Sequence, residues 1–182
     1  MMNPQIKRCA VLALMCLLAF AVACNLGDET DKANKLIEEG NAAITEGDKI
    51  FNEANNKFTA LDVTADKEKA KASAQEVSDG FDKAAAKARE ASKKFDEASK
   101  LKVDDKFKEY LSLKSKEFNK KAEQVEAAKG LPKALLDSSD EASMNSKVAE
   151  INDRIEKLDK EWKDLAAQAD KIREDNKDKF QK

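Results

Sequence analysis

Apolar residues recur at alternating spacings of four and three along most of the chain. The first run is Ala33, Ile37, Gly40, Ile44, Gly47, Phe51, Ala54, Phe58 and Leu61, widened on one side by Leu36, Ala43 and Ile50. The second is Ala70, Ala74, Val77, Phe81, Ala84, Ala88, Ala91, Phe95 and Ala98. The third is less regular: Phe107, Leu111, Phe118, Ala122 and Val125, with Tyr110 and Leu113 beside it. The fourth runs Met144, Val148, Ile151, Ile155, Leu158, Trp162, Leu165, Ala169 and Ile172. Seams of this period are amphipathic helices, and sustained heptads imply supercoiled packing. The pattern therefore predicts an all-α fold with helices at about 31–61, 65–101, 105–129 and 139–175. Their expected arrangement is an elongated antiparallel up-down four-helix bundle with coiled-coil-like heptads.

Local punctuation sets the expected boundaries. Thr64 is a candidate N-cap for the second helix, and Asp137-Ser138-Ser139-Asp140 offers caps for the fourth. Gly130 reads as a C′ residue ending the third helix, with Pro132 able to start a new turn. Val103-Asp104-Asp105 holds a capping Asp but no Gly or Pro. A three-helix arrangement, with 65–129 as one long helix, is the alternative.

A register follows if the first hairpin turns about Thr64. Phe51 then faces Val77, Gly47 faces Phe81, Ile44 faces Ala84, Gly40 faces Ala88, Ile37 faces Ala91 and Phe58 faces Ala70. Large side chains meet small ones, which favours dense packing and gives the two mid-helix glycines a purpose. The same reasoning for the last two helices pairs Phe118 with Ile155 and Leu111 with Trp162. The expected core residues are thus Ile37, Gly40, Ile44, Gly47, Phe51, Phe58, Val77, Phe81, Phe95, Phe118, Ile155 and Trp162.

The first 24 residues differ in composition from the rest. Lys7 and Arg8 precede an uncharged apolar run, Cys9 to Ala23, which ends Ala21-Val22-Ala23 before Cys24. The run suits a secretory signal and is short for a membrane span, which takes roughly 20 residues. This segment resembles a bacterial lipoprotein signal, with Ala21-Val22-Ala23-Cys24 in the place of the lipobox. The resemblance covers the signal alone. It implies cleavage between Ala23 and Cys24, diacylglycerol on the Cys24 thiol, and an exported protein held in the cell envelope by its N-terminal lipid. Asn25 after the cysteine implies outer-membrane delivery under the enterobacterial sorting pattern. Plain secretion is the alternative, since Ala21-Val22-Ala23 also fits an A-x-A cleavage site. Domain organisation is then a cleaved signal at 1–23, a lipid-anchored tether at 24–30, and one helical domain at 31–182.

Composition narrows the chemistry. The 182 residues include 34 basic and 36 acidic side chains, no histidine, and three cysteines, two of them inside the signal. No histidine base, Cys-His pair or zinc set can be assembled, no glycine-rich phosphate loop is present, and a net charge of −2 leaves no nucleic-acid footprint. The chain is accordingly read as no enzyme, with no cofactor, no metal and no nucleic-acid partner. No acidic residue falls on an apolar seam position, where burial would shift its pKa, so the acids are expected in solvent. The polar stretch from Asp175 to Lys179 reads as a frayed tail around Asn176. The terminal Lys182 is shared with murein lipoprotein, which the chain resembles in its anchor, helical heptads and last residue only. Up-down topology would turn Lys182 toward the membrane, away from the wall. What remains is a structural or interaction protein of the envelope that engages a partner or self-associates. The alternative is a carrier of lipid or a small apolar ligand.

Overall fold

The structure, a computed structural model, describes residues 28–62 and 66–180. Four long helices alternate in direction: α1 (Thr30–Thr59), α2 (Lys67–Ser99), α3 (Asp105–Ala128) and α5 (Glu141–Asp175). A short helix, α4 (Gly130–Leu136), lies between the last two, and a 3₁₀ turn (Lys177–Lys179) follows α5. At about 1.5 Å per residue the long helices span roughly 36–52 Å. All described secondary structure is helical.

Aspartates start three of these helices. Asp66 accepts from the backbone N–H groups of Glu68 and Lys69, Asp104 from Lys106 at 2.8 Å, and Asp140 from Ser143 at 2.8 Å. Each satisfies amides that the first helical turn leaves without a partner. The break at Val103-Asp104 therefore exists, and one helix over 65–129 does not form. Thr64 lies outside the described residues, and the observed cap of α2 is Asp66. Gly130 is not a left-handed C′ residue. Lys129 closes α3 and opens α4 in right-handed helical geometry. Gly130 instead lets Ile151 approach: a β-carbon there would stand 3.0 Å from Ile151 Cδ1.

Packing is sequential. The helix pairs that pack closely are α1 with α2, α2 with α3, and α3 with α5, while α1 and α5 do not form a packed pair. Asp48 of α1 reaches Lys121 of α3 at 2.8 Å, so α1 also leans on α3. Two core clusters result. One joins Ile37 and Ala43 to Phe95, Leu111 and Phe118, and the other joins Ala54 to Val77, Phe81 and Val125.

The expected first-hairpin register is corrected by about five residues. Glu39 pairs with Lys94, Glu46 with Lys87 and Lys57 with Glu76, a constant antiparallel offset. Gly40 therefore meets Phe95 rather than Ala88, and Gly47 meets Lys87 and Ala84 rather than Phe81. The start of α2 overhangs the end of α1. Small-residue fit fixes this offset: at Gly80 a β-carbon would stand only 2.7 Å from Ala54 Cβ. The α3–α5 register is corrected in the same way. Trp162 bonds Gln124 and Glu161 pairs with Lys120, while Phe118 and Ile155 belong to separate clusters.

Candidate functional site

One end of the bundle gathers three parts of the chain that are far apart in sequence. The backbone N–H of Glu29 donates to Lys102 O at 2.9 Å, and the N–H of Lys102 donates to Glu29 Oε2 at 3.0 Å. That backbone bond holds the Glu29 carboxyl below its ordinary value, helped by Lys32. From the other side Phe180 packs edge-on against Phe107 and Tyr110, at ring separations of 5.5 and 5.3 Å. Lys179 lies 4.0 Å from Asp104. The start of α1, the α2–α3 loop and the end of the chain's described part thus share one end. The end of α1, the start of α2 and α4 occupy the other.

The tail is ordered rather than frayed. Asn176 Nδ2 donates to Ile172 O at 2.8 Å, the 3₁₀ turn follows, and Phe180 is buried. The signal for this was an aromatic residue closing an otherwise polar stretch. Cys24 and the signal residues, including Ala23, lie outside the described residues, as does Lys182.

The expected core residues divide by depth. Ile37, Gly40, Gly47, Val77, Phe81, Phe95 and Phe118 are buried, whereas Ile44, Phe51, Phe58, Ile155 and Trp162 are half-buried. Phe51 and Phe58 close over Phe81 at 5.6 and 6.5 Å, and Phe95 stacks on Phe118 at 5.5 Å. Such ring pairs add about 0.5–1.5 kcal/mol beyond area burial.

One acid does fall inside, contrary to the expectation above. Glu117 is 5% exposed and pairs with Lys114, itself half-buried, at 2.7 Å. Desolvation pushes the Glu117 carboxyl above its ordinary value, Lys114 and Lys121 oppose the shift, and Asp170 of α5 adds to it. The sequence carried a trace of this. The third apolar seam skips a step between Leu111 and Phe118, where Lys114 and Glu117 stand. Glu117 does not pair with Lys121 at i+4, because Lys121 turns to Asp48. Of the i,i+4 pairs the sequence offers, Asp159–Lys163 forms at 2.6 Å, while Lys57 is drawn across to Glu76.

Two shallow clefts flank α3. One, about 420 Å³, is lined by Leu113, Lys116, Lys171 and Ile172 among others, and its neighbour of about 430 Å³ by Ser92, Ser115, Lys116 and Leu165. Both open broadly to solvent. Among the described residues no group of three or more His, Cys, Asp or Glu side chains gathers as for a metal ion. No helix among them is long and apolar enough to cross a membrane. Comparison with known protein families, curated proteins and solved structures finds no match.

Proposed function

We propose that this chain is a lipid-anchored protein of the bacterial cell envelope with a structural or protein-interaction role and no catalysis. The observation that carries the reading is the sequence around Cys24. A basic start and an uncharged run lead to Ala21-Val22-Ala23-Cys24, and no further cysteine follows. Two or more acyl chains suffice for stable anchoring, since each buried CH₂ contributes about 0.8 kcal/mol. The fold is compatible with that use. A tether of a few residues leads from Cys24 to Asp28, and α1 begins at Thr30, at the end that also carries Phe180. The bundle would stand on this end, with the end of α1, the start of α2 and α4 farthest from the membrane. Its exposed surface is a field of alternating Lys, Asp and Glu, suited to a solvated rod that meets other proteins.

The carrier alternative has less support. Phenylalanine rings in mutual contact fill both core clusters, and the clefts along α3 are too open to enclose an apolar ligand. The test is fractionation of cells expressing the full chain or Cys24→Ala. The proposal expects wild type in detergent-extractable membranes and the variant unprocessed or released. Equal solubility of both proteins contradicts it.

A further inference from the structure

α5 joins the molecule on different terms from the other long helices. It is the longest, at 35 residues, yet only Leu158 and Ala169 are buried. It packs on α3 and, near its start, on α4. Its cross-links to α3 are polar and partly exposed. Trp162 Nε1 donates to Gln124 Oε1 at 3.1 Å, Gln124 Nε2 donates to Asp159 at 3.3 Å, and Lys120 meets Glu161 at 3.1 Å. Water can replace each of these on separation at little net cost. Along its length Leu158 and Ala169 are its buried apolar contacts, and the one buried ring is at the far end, where Phe180 enters between Phe107 and Tyr110. At the near end the short connection 137–140 links α5 to α4.

We propose that α5 is a strap. It swings away from α1–α3 as one unit about the 137–140 connection, and Phe180 is the latch that holds it shut. α5 and its tail give Ala169, Ile172 and Phe180 to one core cluster and Ile155 to the other. None of the rings in the Phe51–Phe58–Phe81 or Phe95–Phe118 contacts lies on α5, so opening strips those four residues and leaves the ring contacts in place. Opening bares Leu113 on α3 and Leu158, Trp162 and Leu165 on α5. The opening equilibrium then sets how much apolar helix surface the protein offers. That last consequence deepens the interaction role proposed above, whereas the opening itself holds whether or not Cys24 is acylated.

Hydrogen exchange followed by mass spectrometry on the full mature chain, as wild type and as Phe180→Ala, tests the proposal. Local opening predicts that peptides within α5 exchange about tenfold or more faster than peptides within α2, because sub-global openings need less free energy than global unfolding. Phe180→Ala should speed α5 further and leave α1 and α2 unchanged, and those two helices report that the variant is folded. Equal rates in α5 and α2 of the wild type would show one cooperative unit and overturn the strap. An equal acceleration of every helix by Phe180→Ala, or none in α5, would overturn the latch.

Discussion

The α1–α2 hairpin and α5 are written with the same apolar period and are packed to different depths. The seam of α2 is mostly alanine, with Val77, Phe81 and Phe95 as its large members, and from Ala70 to Ala98 every seam position is buried. The seam of α5 holds Met144, Val148, Ile151, Ile155, Trp162 and Leu165, all of them half-exposed. Small residues let helix backbones approach, so Phe81 and Phe95 sink into the neighbouring surface; bulky residues on both sides hold axes apart. Neighbour number compounds the effect: α2 lies between α1 and α3, while α5 has α3 along its length and only short α4 beside it. A hydrophobic period thus names the buried face of a helix, but residue size and neighbour count decide how dry that face becomes.

The contrast should break most visibly with core truncations. Phe81→Ala is expected to lower stability by about 3–5 kcal/mol, the usual loss for a buried ring, in equilibrium denaturation followed by circular dichroism. Trp162→Ala should cost under about 2 kcal/mol, since its ring is half-exposed. Equal losses would erase the distinction between hairpin and strap.

Glycine substitutions sharpen it further. Gly80→Ala places a β-carbon 2.7 Å from Ala54 Cβ, a contact between two helices with no flexible atom to yield. The expected loss is about 1–3 kcal/mol, despite the gain in helix propensity. Gly130→Ala meets the movable Ile151 Cδ1 at 3.0 Å, and thermal denaturation should find it within about 1 kcal/mol of wild type.

A smaller effect belongs to Glu117. Its folded-state pKa lies above the ordinary 4.5, so the folded protein holds this proton more tightly than the unfolded chain. The associated stabilisation is complete at acid pH and is lost as pH rises through 4.5 and the raised value. The stability difference between wild type and Glu117→Gln should therefore shift in the variant's favour as pH increases. A pH-independent difference would mean that Lys114 fully offsets burial. Least of all, Glu46→Gln should cost at most about 1 kcal/mol, and less in high salt, because the Glu46–Lys87 pair is partly exposed.

Much of the architecture was legible along the chain. Helix number, approximate ends and the Asp104 and Asp140 caps follow from local rules of periodicity and capping. Register does not, because the shortest turn through Thr64 is a weaker constraint than the fit of Gly80 to Ala54 and Gly40 to Phe95. Ion pairing is hidden for a related reason: Lys57 and Lys121 take partners on other helices that pattern cannot see. Phe180 and Glu117 were hidden because each sits outside a regular seam and is buried by elements distant in sequence. At the proposed anchor the position is reversed. Cys24 is legible in sequence alone, and the fold contributes only the end from which it would extend.

Intact mass of the mature protein extracted from envelopes tests that anchor most directly. The account predicts a chain beginning at Cys24 and carrying added acyl mass that is absent from Cys24→Ala. A chain of unmodified mass, whatever its first residue, would contradict it.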